Sequence, residues 1–152
     1  KGFLSLAGIK SPGLASAPAV AEYAAELLER DGLVLHKKSS FVDTRRRVRF
    51  ASLTDSEKAE LIKKNPAYGR VICRCETVTE GEILDTFDTP IPPVSIDGVK
   101  RRCNAGMGRC QAGFCSPRTM EIIAREKGIS QLDITKSGGK SRIVVGMSKN
   151  RG

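Results

Sequence analysis

Apolar and polar positions recur with different periods along this chain, and each change of period marks an element. Residues 3–9, FLSLAGI, form a short apolar run followed by the turn-forming KSPGLASAP, which predicts a short buried strand. Next, AVAEYAAELLERDG sets Val20, Tyr23, Ala24 and Leu27 at helical spacing, with Gly32 as its stop. From 33 to 53 no period is sustained, so extended or irregular backbone is expected. Thr54-Asp55-Ser56-Glu57 then has the form of a capping box before KAELIKK, and Asn65-Pro66 ends that helix.

Downstream the elements shorten. RVIC (70–73) reads as a brief extended segment, and Thr79-Glu80-Gly81-Glu82 as a second capping box opening a helix through about Phe87. TPIPP (89–93) must be a loop, and SIDGVKRR opens a further helix with Ser95 as its cap. CNAGMGRCQAGFC (103–115) holds too much glycine for regular structure. Ser116-Pro117 starts a strong helix, RTMEIIAREK, closed by Gly128, before the turn KSGGK and a strand SRIVVGM. The pattern predicts an α+β chain made mainly of short helices.

Composition narrows the possibilities. Hydrophobic residues are 39% of the 152, there is no Trp, and no run approaches the length of a membrane span. The chain opens inside an apolar run without an initiating Met, which reads as a later section of a longer protein. Its net charge of +9 is spread over both halves. The one dense patch, Arg45-Arg46-Arg47-Val48-Arg49, lacks interleaved aromatic residues, so a solvated or partner-facing basic segment is expected and no nucleic-acid groove. The single histidine, His36, lies in no motif and reads as an ordinary polar residue, not as an acid–base catalyst.

The cysteines carry the chemistry. All five lie between 73 and 115, as Cys73-x-Cys75, then Cys103, then Cys110-x4-Cys115. Clustered thiols without an export signal read as ligands in preference to a disulfide framework. A bond between Cys73 and Cys75 would need a strained ring. Gly106, Gly108 and Gly113 let backbone approach an embedded centre, and each close pair stands just before a helix N-terminus, where the dipole favours an anionic thiolate site. Arg74, Arg101, Arg102 and Arg109 add positive charge nearby. Four thiolates suit an iron–sulfur cluster or zinc. The Cys-x-Cys spacing and the glycine amides favour iron–sulfur, with zinc the alternative metal and uncoordinated thiols or disulfides third. Cys103 reads as a small buried residue with a spare thiol.

VICRCETVTEGEI with DGVKRRCNAGMGRCQAGFCSPR resembles the BFD-like [2Fe-2S]-binding domain. It is most similar to the version at the C-terminus of anaerobic-type, FAD-dependent glycerol-3-phosphate dehydrogenases. The resemblance covers roughly residues 50–146 and includes NPAYGRVICRC. It implies Cys73, Cys75, Cys110 and Cys115 as cluster ligands, held in loops between short helices. The closing Cys-x4-Cys departs from small BFD-like proteins but agrees with the dehydrogenase-associated version, where a threonine usually stands at the position of Cys103.

FLSLAGIKSPGLASAPAVAEYAAELL in turn resembles the last strand–turn–helix of the FAD-binding fold in the D-amino-acid oxidase and glycerol-3-phosphate dehydrogenase superfamily. That resemblance implies that Ser11, Pro12, Gly13 and Leu14 approach the flavin. A G-x-G-x-x-G fingerprint opening a βαβ unit is absent, so these residues are not expected to retain FAD, nor to turn over substrate, without an upstream FAD domain. The expected layout is a strand–turn–helix remnant at 1–32, a connecting segment at 33–69 and the cluster domain at 70–152. The implied parent is a cytoplasmic oxidoreductase whose reducing equivalents leave the flavin toward another acceptor, an electron-acceptor subunit being one candidate partner, with the cluster as electron relay or as redox or structural support. Peripheral membrane association of the parent complex stays open. A non-catalytic, cysteine-ligated docking module for a partner subunit is the alternative function.

Overall fold

The computed structural model describes residues 2–41, 44, 47–146, 148 and 149. The chain divides into two compact units, Lys1–Arg45 and Arg46–Gly152. Residues 33–45 fall in the first unit and residues 46–69 in the second.

In the first unit α1 spans Gly13–Arg30, starting six residues before the expected AVAEYAAELL stretch. Pro18 lies inside it, past the first turn, and lacks the amide that would donate to the Leu14 carbonyl. Ser16 steadies the start, its hydroxyl donating to the carbonyls of Pro12 and Gly13. Gly32 lies beyond the helix end with φ +96°, as the expected stop requires. Residues 3–9 do not form the expected strand. A strand needs a neighbouring ladder to satisfy its backbone, and none runs beside them among the described residues of this unit; Phe3, Leu6 and Ile9 are exposed.

The second unit is built from short helices around one two-stranded ribbon. α2 (Asp55–Lys64) has the expected capping box, with Thr54 and Glu57 bonding reciprocally. A single 3-10 turn at Pro66–Gly69 follows, capped by Asn65. β1 (Val71–Cys73) and β2 (Val78–Thr79) pair antiparallel, and β2 runs directly into α3 (Glu80–Leu84). The second capping box is buried: Glu82 accepts from the Thr79 amide at 2.8 Å and hydroxyl at 3.0 Å, and also from the Phe50 amide at 3.2 Å. That last bond ties residues before α2 to the cluster domain. The helix ends at Leu84, and hydrogen-bonded turns continue to Phe87.

α4 (Ile96–Cys103) is capped by Ser95, whose Oγ accepts from Gly98 at 3.1 Å. Gly98, an unfavourable helix residue, is explained by packing, since a Cβ there would lie 3.1 Å from Pro93. α5 (Ser116–Lys127) is the longest helix of this unit and ends at Gly128 with φ +62°. The expected C-terminal strand is reduced to isolated bridges, Thr135 to Ser95 and to Arg142. Met147 of that segment lies outside the described residues. The observed fold is α+β with mainly short helices.

Ile83, Val99, Ile123 and Ile134 are fully buried, contributed by α3, α4, α5 and the segment after α5. Each such side chain stabilises the unit by about 2–3 kcal/mol through removal from water. Cys73, Cys103 and Cys115 belong to the same apolar cluster, so the core itself fixes two of the expected ligands. Beside it, Glu80 pairs with Arg70 at 2.5 Å and Arg125 at 2.8 Å, joining the residue before β1 to α3 and α5.

Candidate metal centre

The ribbon and the N-terminus of α5 converge on one cavity of about 600 Å³, lined by Cys73, Cys75, Cys110 and Cys115. Cys73 ends β1 and Cys115 is the N-cap residue of α5, so both are set by regular elements. Cys75 lies in the turn between the strands, which reverses through Thr77 at φ +50°. Cys110 lies in the glycine-rich loop, which turns through Gln111 and Ala112 at positive φ. Ser116 closes that loop, its amide and hydroxyl both donating to the Ala112 carbonyl.

The glycines have the close contacts expected of them. Gly106, at φ +87°, donates its amide to Cys73 Sγ at 3.4 Å, and a Cβ on it would lie 3.8 Å from Cys115 Sγ. At Gly108 a Cβ would stand 2.2 Å from that of Cys75, which no side chain could tolerate. Gly113 brings its amide to the Cys110 carbonyl at 3.0 Å.

The thiols sit in unlike surroundings. Cys73 and Cys115 are buried, Cys110 is half-buried and Cys75 exposed. The Cys75 thiol and backbone amides from Phe114, Ala112 and Gly113 hold the Cys110 thiol below the ordinary range. Burial, with the neighbouring Cys73, pushes the Cys115 thiol up to about 12. Binding a cation there must therefore displace a proton that burial holds in place.

Cys103 is turned away. It lies in α4, its Sγ donates to the Val99 carbonyl at 3.4 Å, and burial pushes it up to about 11. Arg102 is also diverted, since its guanidinium donates to the carbonyls of Gly98 and Ile91. Arg74 lines the cavity, joined by Arg118 and Phe114, which the sequence reading had not singled out. Their signal was available: Phe114 directly precedes Cys115, and Arg118 lies in the first turn of the helix that Cys115 caps.

Elsewhere, Ser11, Pro12, Gly13 and Leu14 lie at the start of α1, whose N-terminus has no side-chain cap; Leu14 is exposed. His36 is exposed in the irregular stretch after α1. Of the basic patch, Arg47 and Arg49 border a shallow cavity beside α2, and Arg45 and Arg46 lie outside the described residues.

Four thiols on one cavity, with glycine amides at hand, form a donor set suited to an iron–sulfur centre. Residues 71–125 match the BFD-like [2Fe-2S] binding domain, and this part of the chain is such a domain. The matched family is an iron–sulfur one, and nothing in it supports the zinc alternative.

The chain as a whole is related to glycerol-3-phosphate dehydrogenases. It is 46% identical over 99% of its length to a glycerol 3-phosphate dehydrogenase of Caloramator mitchellensis, and spans 32% of that protein. It is also 38% identical to the anaerobic glycerol-3-phosphate dehydrogenase subunit A1 of Haloferax volcanii, over 37% of this chain and 9% of that protein. The hydrogen cyanide synthase subunit HcnB of Pseudomonas aeruginosa is 41% identical over 36% of this chain and 12% of its own length. No solved structure matches. No helix among the described residues is long and apolar enough to cross a membrane.

Proposed function

We propose that the chain is the C-terminal section of an FAD-dependent oxidoreductase of glycerol-3-phosphate dehydrogenase type, and that Cys73, Cys75, Cys110 and Cys115 hold its [2Fe-2S] cluster. The observation that carries this reading is the convergence of those four thiols on one cavity while Cys103 bonds back into α4. When bound, the cluster supplies one-electron chemistry. Of the residues that would hold it, Cys73 ends a core-embedded strand and accepts from the Gly106 amide, and Cys115 stands at a helix N-terminus.

In this reading residues 1–32 complete the FAD domain of the parent, with Ser11, Pro12, Gly13 and Leu14 near the flavin. The uncapped amides at the start of α1 are suited to negative charge developing there on reduction. Residues 33–69 connect to the cluster domain at 70–152. Held by Cys73, Cys75, Cys110 and Cys115, the cluster would supply one-electron transfer between a reduced flavin and an acceptor subunit, or else redox or structural support. The parent is cytoplasmic, or peripheral to the membrane through that partner. Glycerol-3-phosphate is favoured as substrate by the long relative; the match to a hydrogen cyanide synthase subunit covers only 36% of the chain.

Anaerobic reconstitution with iron and sulfide tests the reading, followed by metal analysis and absorption spectra. Two irons per chain with reversible bleaching, lost in Cys73→Ser and retained in Cys103→Ser, are expected. A colourless chain holding one zinc would refute it.

A further inference from the structure

Resting on that reading, we propose that the four cysteines act as two unlike pairs. Cys73 and Cys115 form an inner, anchoring pair on one iron. Cys75 and Cys110 form an outer pair on the other iron, on whose side the electron resides after reduction.

Three independent observations divide the thiols the same way. The first is burial: Cys73 and Cys115 are 1% and 3% exposed, Cys110 is intermediate and Cys75 is open to solvent. The second is the backbone beneath them. Gly106 donates its amide to Cys73 Sγ, and a Cβ on it would lie 3.8 Å from Cys115 Sγ. Gly108 instead lies against Cys75, two residues before Cys110. The third is support: the inner pair sits on a strand end and a helix N-cap, the outer pair on a turn and a loop with left-handed residues.

Reduction adds one negative charge and moves no heavy atom. Water stabilises that charge, whereas an apolar core resists it, so the solvent-facing iron accepts the electron. The Gly106 amide works against this order, because it favours charge on Cys73. It is a single donor already in place before reduction, however, while the inner sulfurs lie among Val78, Met120 and Ile123.

The test uses the full chain and four single variants, Cys73→Ser, Cys115→Ser, Cys75→Ser and Cys110→Ser, each reconstituted anaerobically and reduced with dithionite. Metal content, the electron paramagnetic resonance spectrum and the midpoint potential are measured. Cys75→Ser and Cys110→Ser are expected to retain most of their iron, with displaced g values and a lower potential, because the harder oxygen ligand sits on the reduced iron. Cys73→Ser and Cys115→Ser are expected to lose most of their iron; whatever remains should keep wild-type g values.

Any other grouping, including equal loss in all four, overturns the pairing while leaving the cluster assignment intact. Failure of the wild-type chain to hold two irons would instead overturn the cluster reading beneath it. Alkylation of the metal-free chain, followed by mass spectrometry, gives a second readout. Cys75 and Cys110 should react first, and faster reaction at Cys73 or Cys115 would contradict the inner assignment.

Discussion

The backbone amide of Gly106 donates to Cys73 Sγ at 3.4 Å, joining the glycine-rich loop to the end of β1 across 33 residues. The contact needs glycine twice over. Its φ of +87° is strained for an L side chain, and a Cβ would lie 2.9 Å from that of Ala112. Gly106→Ala should therefore lower stability by about 1–3 kcal/mol and reduce the iron held after reconstitution. Gly128→Ala is the control, because it is also at positive φ but has no neighbour within 4 Å. It should cost about 1 kcal/mol and leave iron binding unchanged. Equal iron loss in both would mean that general destabilisation, and not the site, is responsible.

Glu80 gives a pH-dependent contribution. Its hydrogen bond from Arg70 lowers its carboxyl below the ordinary range, with Arg125 adding to this against the opposing effect of burial. A carboxyl lowered on folding stabilises the fold above its unfolded value near 4.5, and that contribution is lost as pH falls through the folded value. Both arginines are more than half exposed, so solvent screens the pairs and about 1 kcal/mol is expected at neutral pH. Urea midpoints of the chain and Glu80→Gln should differ at pH 7 and converge only as pH falls below the folded value. A gap independent of pH would assign the effect to packing.

Thr119 Oγ1 is a buried side-chain polar atom without a hydrogen-bond partner in the described residues. Burying a hydroxyl without a partner costs about 1–3 kcal/mol, and valine nearly matches threonine in shape. Thr119→Val should therefore raise the thermal midpoint of the metal-free chain. A fall would show that the hydroxyl has a partner in solution.

Ile123 is fully buried at the centre of the core, where α5 packs. Ile123→Ala should cost about 2–5 kcal/mol, read from denaturant unfolding. Because Cys73 and Cys115 share that core, iron retention should fall with stability. Full iron binding in an otherwise destabilised variant would mean that the ligand loops hold their geometry without the core.

Local chemistry alone determined much of this protein. Both capping boxes, the Ser95 cap, the Asn65-Pro66 break and the Ser116 to Gly128 limits of α5 depend on residues a few positions apart, and each forms where the sequence calls for it. The cysteine spacing and glycine content likewise announced a thiolate site. Long-range contacts decided the rest. Residues 3–9 and 141–147 look like strands by composition, but a strand is completed only by a neighbour that its own residues cannot specify. Gly98 is a poor helix residue by propensity, and only the fold packs Pro93 against it. Likewise, spacing could group Cys73 with Cys75, but only the tertiary structure could bury one against Gly106 and leave the other at the solvent edge, because burial belongs to the packed core and not to position along the chain.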